Sequence, residues 1–597
     1  MSTAAQPKQS ADALSVLGKR WQLRSADNRG GMLLAQRMGV PEVVGTIMAN
    51  RGVELTDAAA FLEPNLRDLP DPNHLLDMDK AVERLLGAVT QKQKIAIFGD
   101  YDVDGSCGAA MLLRYFRALG MDPLLYVPDR LTEGYGPNAV AMERLKAQGA
   151  DLVVTVDCGC VAYDAMDAAA KLGLDVVITD HHQGAIKKPV CVALVNPNRV
   201  DEESPHTNLS GTGVAFLVLV GLNRALREKG FFTAEQPEPD LRLLLDLVAV
   251  ATVCDVVPLG GVNRILVDRG LKVMATRRNP GLTALADVAG VDSKPGTYHA
   301  GFLIGPRINA GGRIAACDLG ATLLSTMDGA HAHALAQRLH QLNQERKEIE
   351  EMVQADAMQQ AEAMFTPEVG ALVLAGKNWH PGVIGIVASR VKDKFHRPVF
   401  VLSLDGDVAK GSGRSISGID LGRCVQALGD ILVGGGGHKM AAGLSILPEN
   451  IPAFREKLNQ MVLQQAARAE GDVFTPYIKL DGFLTPRGAN LDLLDQIERL
   501  EPYGMGNPEP RFALTGVRVD APRVVGEKHL SLSLTDGAGG RIRGIAFRAM
   551  ENPLGSFLLN TAGKAVSVCG SLRRNVWNGS ESAQFQLDDA FDGIWQG

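Results

Sequence analysis

The stretch Ile95–Gly105 constrains the fold of this chain more than any other part of the sequence. Its first residues, Ile95–Phe98, are apolar and partly β-branched, which predicts a buried strand of a parallel sheet. Three alternating aspartates follow this strand: Asp100, Asp102 and Asp104. Because ligands bind at the carboxyl ends of parallel strands and crowded carboxylates repel one another, the stretch predicts a divalent cation site.

An isolated aspartate turn is more often a solvated cap of the following helix, which here begins near Ser106. Recurrence favours the metal site over this alternative. Three further strand-like runs end in side chains that bind metals: Asp151–Val156 before Asp157, Asp175–Thr179 before Asp180, His181 and His182, and Leu247–Val253 before Cys254 and Asp255. We therefore expect these strand ends to supply one shared site.

The composition is that of a globular protein with several domains. The 597 residues are 46% hydrophobic and 22% charged. The longest apolar run, Leu243–Leu259, is interrupted by Asp246 and Asp255, so no membrane span is expected. The beginning of the sequence has no secretory signal, and Cys158 and Cys160 look like reduced thiols rather than a disulfide framework, which predicts a cytoplasmic location.

The order of the predicted elements indicates an α/β multidomain chain. Strands and helices alternate from Ile95 to about Val253, which predicts βαβ units and a parallel sheet. A long connecting helix is predicted over Ala330–Phe365, with two shorter helices broken near Gln344 as the alternative. A second α/β domain is expected to begin near Ala371.

Three glycine-rich segments lie in this part of the chain. We predict turns over Gly301–Arg313 and glycine-rich loops over Gly411–Arg414 and Gly434–His438. Glycine lets the backbone approach an anion closely, and each of the two loops ends in a hydrogen-bond donor. The two loops together favour a phosphate or sugar clamp.

The C-terminal region has the pattern of a small barrel. From Pro476 onward, short strand-like runs are separated by glycines and prolines, which predicts an oligonucleotide-binding (OB)-like β-barrel. Between Arg511 and Arg548 there are seven basic residues and three acidic ones, which suits a phosphate-facing surface or a solvated sheet face about equally. Phe512, Phe547 and Trp577 are candidates for base stacking, although an aromatic residue in a small barrel is more often core.

Carboxylates and imidazoles without cysteine ligands favour Mn²⁺ or Mg²⁺ over structural zinc. Two such cations held about 4 Å apart can activate water and stabilise the leaving oxygen of a phosphodiester. Asp157 stands alone at its strand end, so we expect it to bridge the two cations. Successive side chains of an extended segment alternate, and we therefore assign one of His181 and His182 as a ligand and the other to the substrate.

The motifs resemble those of the DHH phosphoesterases. Asp100–Gly105, Asp157, Asp180–His182 and Asp255 match the four motifs of that family, and Gly434–Gly443 is similar to the signature of its partner domain, DHHA1. Together with Gly305–Arg313 and the C-terminal barrel, the resemblance covers the chain from about residue 50. The family members it resembles best are bacterial exonucleases that degrade single-stranded DNA from 5′ to 3′.

The resemblance implies roles for particular residues. It implies metal binding by Asp102, Asp104, Asp157, His181 and Asp255. It places His182 at the scissile phosphate and gives Asp100 a supporting role in the catalytic loop. It implies DNA phosphate contacts by Arg130, Arg307, Asn309, Ser412, Arg414 and His438.

The resemblance also implies an activity: two-metal hydrolysis that releases 5′-mononucleotides in DNA repair and recombination. Expected partners are single-stranded DNA, a single-strand-binding protein and a RecQ-type helicase, and we expect a monomer. The alternatives are a DHH phosphodiesterase on short oligonucleotides or cyclic dinucleotides and a non-catalytic DNA-binding scaffold.

The expected segments are a lead-in over 1–50, a DHH domain over 51–325, a connecting helix over 326–366, a DHHA1 domain over 367–470 and the barrel over 471–597.

Overall fold

The structure is a computed structural model that describes residues 13–24, 28–130, 132–204, 206–561 and 563–597. The chain forms two compact units, which we name by their main sheets. The sheet unit consists of Ala59–Arg346 and Glu501–Pro508. The barrel unit consists of the described residues up to Ala58 together with Lys347–Leu500 and Glu509–Gly597.

The N-terminal segment contains one strand and two helices of the barrel unit: β1 (Arg20–Leu23), α1 (Arg29–Met38) and α2 (Glu42–Asn50). β1 pairs in parallel with the strand Tyr477–Leu480. The Trp21 ring packs edge-on against Phe591 at 4.7 Å and against Trp595 at 5.4 Å. The sequence predicted a polar lead-in here, but the apolar face of this segment contributes to the core of the barrel unit.

The sheet unit is built around a parallel sheet, as the sequence predicted. Its strands are β2 (Ile95–Gly99), β3 (Leu124–Tyr126), β4 (Leu152–Val156), β5 (Asp175–Thr179) and β6 (Ala193–Val195), in the spatial order β3-β2-β4-β5-β6. The short helix α3 (Ala58–Leu62) precedes this sheet in the chain. The helices after it are α4 (Met78–Thr90), α5 (Val103–Ala118), α6 (Ala139–Ala147), α7 (Tyr163–Lys171), α8 (Gly211–Glu228), α9 (Leu245–Cys254), α10 (Gly261–Met274), α11 (Pro280–Ala289), α12 (Gly305–Ile314) and α13 (Leu319–Ser325). Ile95 and Ile97 join the core on one face of the sheet, and Phe98 joins the core on the other.

The strand predicted over Leu247–Val253 is wrong, because these residues form α9. The residues of α9 from Leu245 to Thr252 are all buried. A helix that is apolar on every side has no 3.6-residue periodicity, so its sequence cannot be told from that of a buried strand. Asp255 is therefore presented by a helix C-terminus rather than by a strand end.

The turns predicted over Gly301–Arg313 are also wrong. His299–Ile304 form a π-helix that continues into α12. Glycine is a poor helix former, but here it is needed for packing. A Cβ atom on Gly312 would lie 2.7 Å from the carbonyl oxygen of Tyr101, so only glycine fits at this point of the helix.

A single long helix, α14 (Gly329–Met364), confirms the prediction over Ala330–Phe365 and excludes a break near Gln344. It is followed in the barrel unit by β7 (Leu372–Gly376), α15 (Ile384–Phe395), β8 (Val399–Ser403), β9 (Ala409–Arg414), α16 (Leu421–Ala427), β10 (Gly434–Gly437), β11 (Ala441–Ile446) and α17 (Ile451–Arg468). The strands form one sheet in the order β10-β11-β9-β8-β7. The two glycine-rich segments that were predicted as loops are strands β9 and β10 instead. The backbone of each strand forms ladder hydrogen bonds with β11.

The C-terminal region closes into the predicted barrel. Its elements are β12 (Tyr477–Leu480), β13 (Gly482–Phe483), α18 (Leu491–Glu498), β14 (Phe512–Val525), β15 (His529–Thr535), β16 (Arg541–Ala546), α19 (Pro553–Leu559), β17 (Val566–Trp577) and β18 (Ser580–Asp592). The order β14-β15-β16-β18-β17 is closed by the pairing of β17 with β14. The single strand β14 contains two of the short strand-like runs that the sequence shows in this region. Its pairing with β15 is irregular between Asp520 and Arg523.

Membrane-spanning helices were also sought among the residues that the structure describes. None of the helices there combines the length and the apolar character that crossing a bilayer requires.

Candidate metal centre

Five segments of the sheet unit bring acidic and imidazole groups to one edge. Asp100 and Asp102 follow β2, Asp157 follows β4, and His181 follows β5. Asp104 lies in the first turn of α5, and Asp255 caps the C-terminus of α9. The carboxyl ends of adjacent parallel strands lie at the same edge of a sheet, which explains why residues so distant in sequence meet.

The ligand atoms of these residues lie close enough to share cations. His181 Nε2 is 3.1 Å from Asp157 Oδ1, 3.6 Å from Asp255 Oδ2 and 3.7 Å from Asp104 Oδ2. Three overlapping groups have ligand atoms within 4.8 Å of one another: Asp104, His181 and Asp255; Asp100, Asp102 and Asp157; and Asp157, His181 and His182. Asp157 and His181 each belong to two of the three groups, so the three groups form one continuous cluster.

Several of these polar atoms are buried and form no hydrogen bond with the residues that the structure describes. They are Asp157 Oδ1, His181 Nε2 and Asp100 Oδ1; the first two approach each other to 3.1 Å without hydrogen-bond geometry. An unsatisfied buried polar atom costs about 1–3 kcal/mol, and more when it is charged. Asp157 and Asp100 are themselves buried, so solvent does not remove this cost. The donor set therefore fits one or more hard divalent cations.

Raised pKa values of three carboxyl groups reflect the same excess of negative charge. Burial, followed by the charge of Asp102, raises the pKa of Asp100 to about 8. Burial, followed by the charges of Asp104 and Asp102, raises the pKa of Asp255 to about 8. Burial and the neighbouring aspartates raise the pKa of Asp157 far above its ordinary value. These carboxylates cannot all be ionised together unless positive charge is added to the site.

The backbone around the site is tightly packed and locally strained. Asp157 adopts a left-handed conformation with φ of 63°, which is uncommon for a residue with a side chain and is found at functional sites. A Cβ atom on Gly211 would lie 2.8 Å from the Cα atom of Asp157. The backbone N–H groups of Gly211 and Thr212 donate to the Asp104 carboxylate at 2.6 and 2.8 Å. The N-terminus of α8 thus fixes two of the candidate ligands.

His182 points differently from His181. Its Nδ1 is 2.8 Å from Asp180 Oδ1, and its side chain remains 44% exposed. Burial alone would lower the pKa of His182, but the hydrogen bond to Asp180 raises it to about 9. Burial would likewise raise the pKa of Asp180, yet the bonds from His182 and from the Cys160 N–H lower it to about 2. The pair is therefore an ion pair with an exposed imidazolium beside the metal groups.

Tyr135 is a residue that the sequence analysis missed. Its hydroxyl donates to the carbonyl oxygen of Asp157 at 3.1 Å and lies 3.1 Å from His182 Nδ1. Its ring meets that of His182 edge-on at 5.6 Å. The only hint in the sequence is that Tyr135 stands between Gly134 and Gly136 in a loop.

The predicted phosphate-binding residues of the sheet unit lie on two elements. The guanidinium group of Arg130 is 5.2 Å from the ring centroid of Tyr101, which follows Asp100. Arg307 and Asn309 lie on α12. Arg307 donates to the carbonyl oxygen of Leu303 at 2.6 Å and to His340 Nδ1 at 3.2 Å.

The remaining predicted residues form a second group in the barrel unit. Ser412 and Arg414 lie on β9, and the Arg414 guanidinium donates to Ser412 Oγ at 3.1 Å. Burial lowers the pKa of Arg414. His438 follows β10, is exposed, and donates its backbone N–H to Ala441 at 2.8 Å. All four glycines of β10 are exposed as well, so this sheet edge presents bare backbone to solvent.

Three family models match the chain. The model of the DHH family, N-terminal domain, matches residues 94–252, that of the DHHA1 domain matches 368–464, and that of the RecJ OB domain matches 480–589. The single-stranded-DNA-specific exonuclease RecJ of Salmonella typhimurium is 36% identical over 571 residues, which cover 93% of this chain and 96% of that protein. The chain belongs to the RecJ family.

Solved structures of this family agree with the fold. RecJ of Thermus thermophilus in complex with Mn²⁺ is similar with a TM-score of 0.79 and 32% identity, over 96% of this chain and 79% of the other. The structure of that protein with Mg²⁺ has a TM-score of 0.75 and 30% identity, over 97% of this chain and 79% of the other. Mn²⁺ and Mg²⁺ are the two cations expected from the carboxylate and imidazole groups of the present site.

The matches also decide between the broad alternatives. Full-length similarity to RecJ proteins, including the OB domain, supports the exonuclease over a phosphodiesterase of short oligonucleotides or cyclic dinucleotides. The non-catalytic alternative expects acidic ligands to be missing. In this chain, each motif carboxylate is present at the edge of the sheet.

Proposed function

We propose that this protein is a metal-dependent exonuclease that degrades single-stranded DNA from the 5′ end and releases 5′-mononucleotides in DNA repair and recombination. The observation that carries the proposal is the set of buried ligand atoms of Asp100, Asp157 and His181 that form no hydrogen bond with the described residues. The names of the RecJ relatives, which specify exonuclease action on single-stranded DNA, give the substrate class.

Two cation sites share the buried edge in this proposal. Asp104, His181 and Asp255 would hold one cation, and Asp102 and Asp157 would hold the other, with Asp157 close enough to His181 to be shared and Asp100 supporting the loop. In support, the ligand atoms of Asp104, His181 and Asp255 form one group within 4.8 Å, and those of Asp102 and Asp157 belong to another. When bound, two divalent cations supply an activated water and neutralise the charge that develops on the phosphate.

His182 acts on the substrate rather than on a cation. Its exposed imidazole, held by Asp180 and bordered by the Tyr135 hydroxyl, is aimed to donate a hydrogen bond to the scissile phosphate or its leaving oxygen. Asp180 and Tyr135 are positioning residues, because both contact His182. A fixed donor of this kind costs no reorganisation when charge develops on the phosphate.

The phosphates of the strand are bound by Arg130, Arg307, Asn309, Ser412, Arg414 and His438. Guanidinium groups suit phosphate oxygens because they offer several donors in one plane. The bare glycine backbone of β10 lets a strand approach closely. In the barrel, Phe547 and Trp577 are exposed and are candidates for base stacking, whereas Phe512 is part of the core.

The remaining proposals concern partner proteins, location, oligomeric state and domain boundaries. Single-stranded DNA arises when a helicase opens a duplex, so a RecQ-type helicase and a single-strand-binding protein are proposed partners. We also propose a cytoplasmic monomer. We propose boundaries of 51–325 for the DHH domain, 326–366 for the connecting helix, 367–470 for the DHHA1 domain and 471–597 for the barrel, preceded by a segment over 1–50. The matched residues 94–252, 368–464 and 480–589 lie within three of these segments.

The decisive experiment uses one oligonucleotide labelled separately at each end. The purified chain is freed of metal with a chelator and then supplied with Mn²⁺ or Mg²⁺. We expect a 5′ label to be released at once as a mononucleotide and a 3′ label to persist in a shortening strand. Activity without metal, preferential trimming of the 3′ end or equal attack on duplex DNA would each contradict the proposal.

A further inference from the structure

Two large aromatic side chains of the sheet unit lie exposed side by side. Tyr298 is 61% exposed and Phe302 is 70% exposed. Their ring centroids are 5.3 Å apart, and the ring planes differ by 24°. We call this pair the aromatic platform. Neighbouring apolar rings left in water are unusual on a folded protein, and such patches mark binding surfaces.

The backbone beneath the aromatic platform has an uncommon geometry. The residues His299–Ile304 form a π-helix, a form that is rare and is found most often at functional sites. The spacing of four residues between Tyr298 and Phe302 places both rings on the same side of this segment. His299 Nδ1 accepts a hydrogen bond from the Gly296 N–H at 3.0 Å, which ties the segment to the preceding loop.

The segment that carries the aromatic platform contacts the C-terminus of α9, which presents the candidate metal ligand Asp255. Cys254, the last residue of α9, donates its thiol to the carbonyl oxygen of Ala300 at 3.4 Å. A Cβ atom on Gly301 would lie 3.5 Å from Val253 Cγ1. Asp255 comes directly after Cys254. The π-helix that carries the platform is thus in contact with the turn that positions Asp255.

We propose that the aromatic platform stacks a nucleobase of the single strand whose phosphate lies at the metal centre. This inference rests on the proposed function and adds a subsite to it. A stacked aromatic pair accepts any base, because every base has a π face, and the bases of a single strand are free to leave their own stack. The contact between this π-helix and the turn that presents Asp255, a candidate metal ligand, favours DNA as the occupant over a protein partner or a second copy of the chain.

The first experiment needs no variant. A series of single-stranded oligonucleotides carries one abasic residue moved stepwise from the 5′ end, and KM and kcat are measured with the wild-type protein and Mn²⁺. We expect the KM to rise roughly tenfold when the abasic residue occupies one particular position, with kcat changed by less than about twofold. A uniform response at every position would overturn the proposal.

The second experiment combines this series with substitutions. The double variant Tyr298→Ala/Phe302→Ala is expected to raise the KM of the intact strand by the same roughly tenfold factor and to be insensitive to the abasic residue at that position. The conservative variant Tyr298→Phe/Phe302→Tyr keeps both rings and should behave as the wild type. Met327→Ala, which removes another exposed apolar side chain, is the matched control. Independent, multiplicative penalties from the variant and the abasic residue would contradict a shared stacking contact.

A binding measurement separates this inference from the proposed function. Fluorescence anisotropy of a labelled single strand, with the divalent cation removed, reports the dissociation constant without turnover. If the wild type binds but never cleaves DNA, the proposed function fails, while a weaker affinity of the double variant still supports the platform. An unchanged affinity together with a loss of self-association in light scattering would assign the surface to a second copy and overturn the inference.

Discussion

Buried aspartates in the two units have opposite surroundings. In the barrel unit, the carboxylate of Asp481 accepts hydrogen bonds from Arg51 at 2.6 and 3.1 Å and from the Arg511 N–H at 3.2 Å. In the sheet unit, Asp157 is just as deeply buried, but among the described residues its Oδ1 accepts no hydrogen bond, and its nearest imidazole nitrogen, His181 Nε2, is 3.1 Å away. Both are aspartates inside a folded unit, but Asp481 is paired with arginine whereas Asp157 is surrounded by other aspartates.

This difference separates a structural carboxylate from a ligand-binding one. A buried carboxylate is costly unless hydrogen bonds or an opposite charge compensate it. Where the protein supplies the donors, as Arg51 does, the carboxylate anchors the N-terminal segment to the barrel unit. Where several carboxylates share a site that has too few donors for all of them, a bound cation supplies the missing compensation. The two cases make opposite predictions for stability and activity.

The largest expected effect is that of Asp157→Asn on activity. The substitution removes the charge of the bridging carboxylate and keeps its size, so we expect turnover of single-stranded DNA with Mn²⁺ to fall by about 1,000-fold or more. The thermal midpoint of the metal-free protein should stay level or rise, because one repelling charge is removed from the buried edge. End-labelled strand degradation and scanning calorimetry measure the two quantities.

The matched control is Asp167→Asn, an exposed aspartate on α7 of the same unit. It removes an equal charge and should leave both the activity and the midpoint at wild-type values. If Asp157→Asn lowered the metal-free midpoint as strongly as it lowered activity, Asp157 would be a structural residue like Asp481, and the comparison would fail.

The second effect is that of Arg51→Ala on stability. The substitution leaves the Asp481 carboxylate buried without its main partner, and we expect a loss of about 3 kcal/mol in the free energy of unfolding. All four tryptophans, at positions 21, 379, 577 and 595, belong to the barrel unit, so tryptophan fluorescence during urea denaturation reports on this unit. The exposed Arg37 on α1 provides the control, and Arg37→Ala should change stability by less than about 0.5 kcal/mol.

The sequence predicts well which residues meet at the carboxyl edge of the parallel sheet, because the pattern that indicates each of them is short and continuous in the chain. Each of Asp100, Asp157 and His181 follows a short apolar strand, and parallel strands bring their carboxyl ends together. The roles of these residues were nevertheless implied by family resemblance rather than by spacing. The structure adds the distances between them and the absence of donors for specific atoms among the described residues.

What the sequence does not predict depends on contacts between distant residues. Tyr135 is separated by 47 residues from His182, and a tyrosine in a loop has no periodic pattern that would indicate this contact. β1 is too short and too mixed in composition to be recognised without its partner strand Tyr477–Leu480. Residues Leu247–Val253 of the helix α9 were predicted as a strand because burial on all sides removes the difference between the two patterns.

The third effect is that of metal on the stability of the sheet unit. A cation that binds only the folded site at 100 times its dissociation constant adds about 2.7 kcal/mol, equivalent to about 5 °C in the midpoint of a unit of this size. We expect Mn²⁺ to raise the midpoint of the wild type in scanning calorimetry and a chelator to reverse the shift. Asp157→Asn should lose most of this response, whereas Arg51→Ala should keep it. An equal response of Asp157→Asn and the wild type would place the cation elsewhere.

The smallest effect concerns an exposed charge cluster in the barrel unit. Arg574 is within 2.7 Å of Asp495, Glu498 and Glu581, which makes it richer in acidic partners than Arg51. Because these carboxylates are solvated, we expect Arg574→Ala to cost less than about 1 kcal/mol, and less still in high salt. Urea denaturation followed by tryptophan fluorescence measures this loss beside that of Arg51→Ala. A cost equal to that of Arg51→Ala would show that the number of partners, rather than burial, decides what a charge contributes, and the distinction drawn between Asp481 and Asp157 would then lose its physical basis.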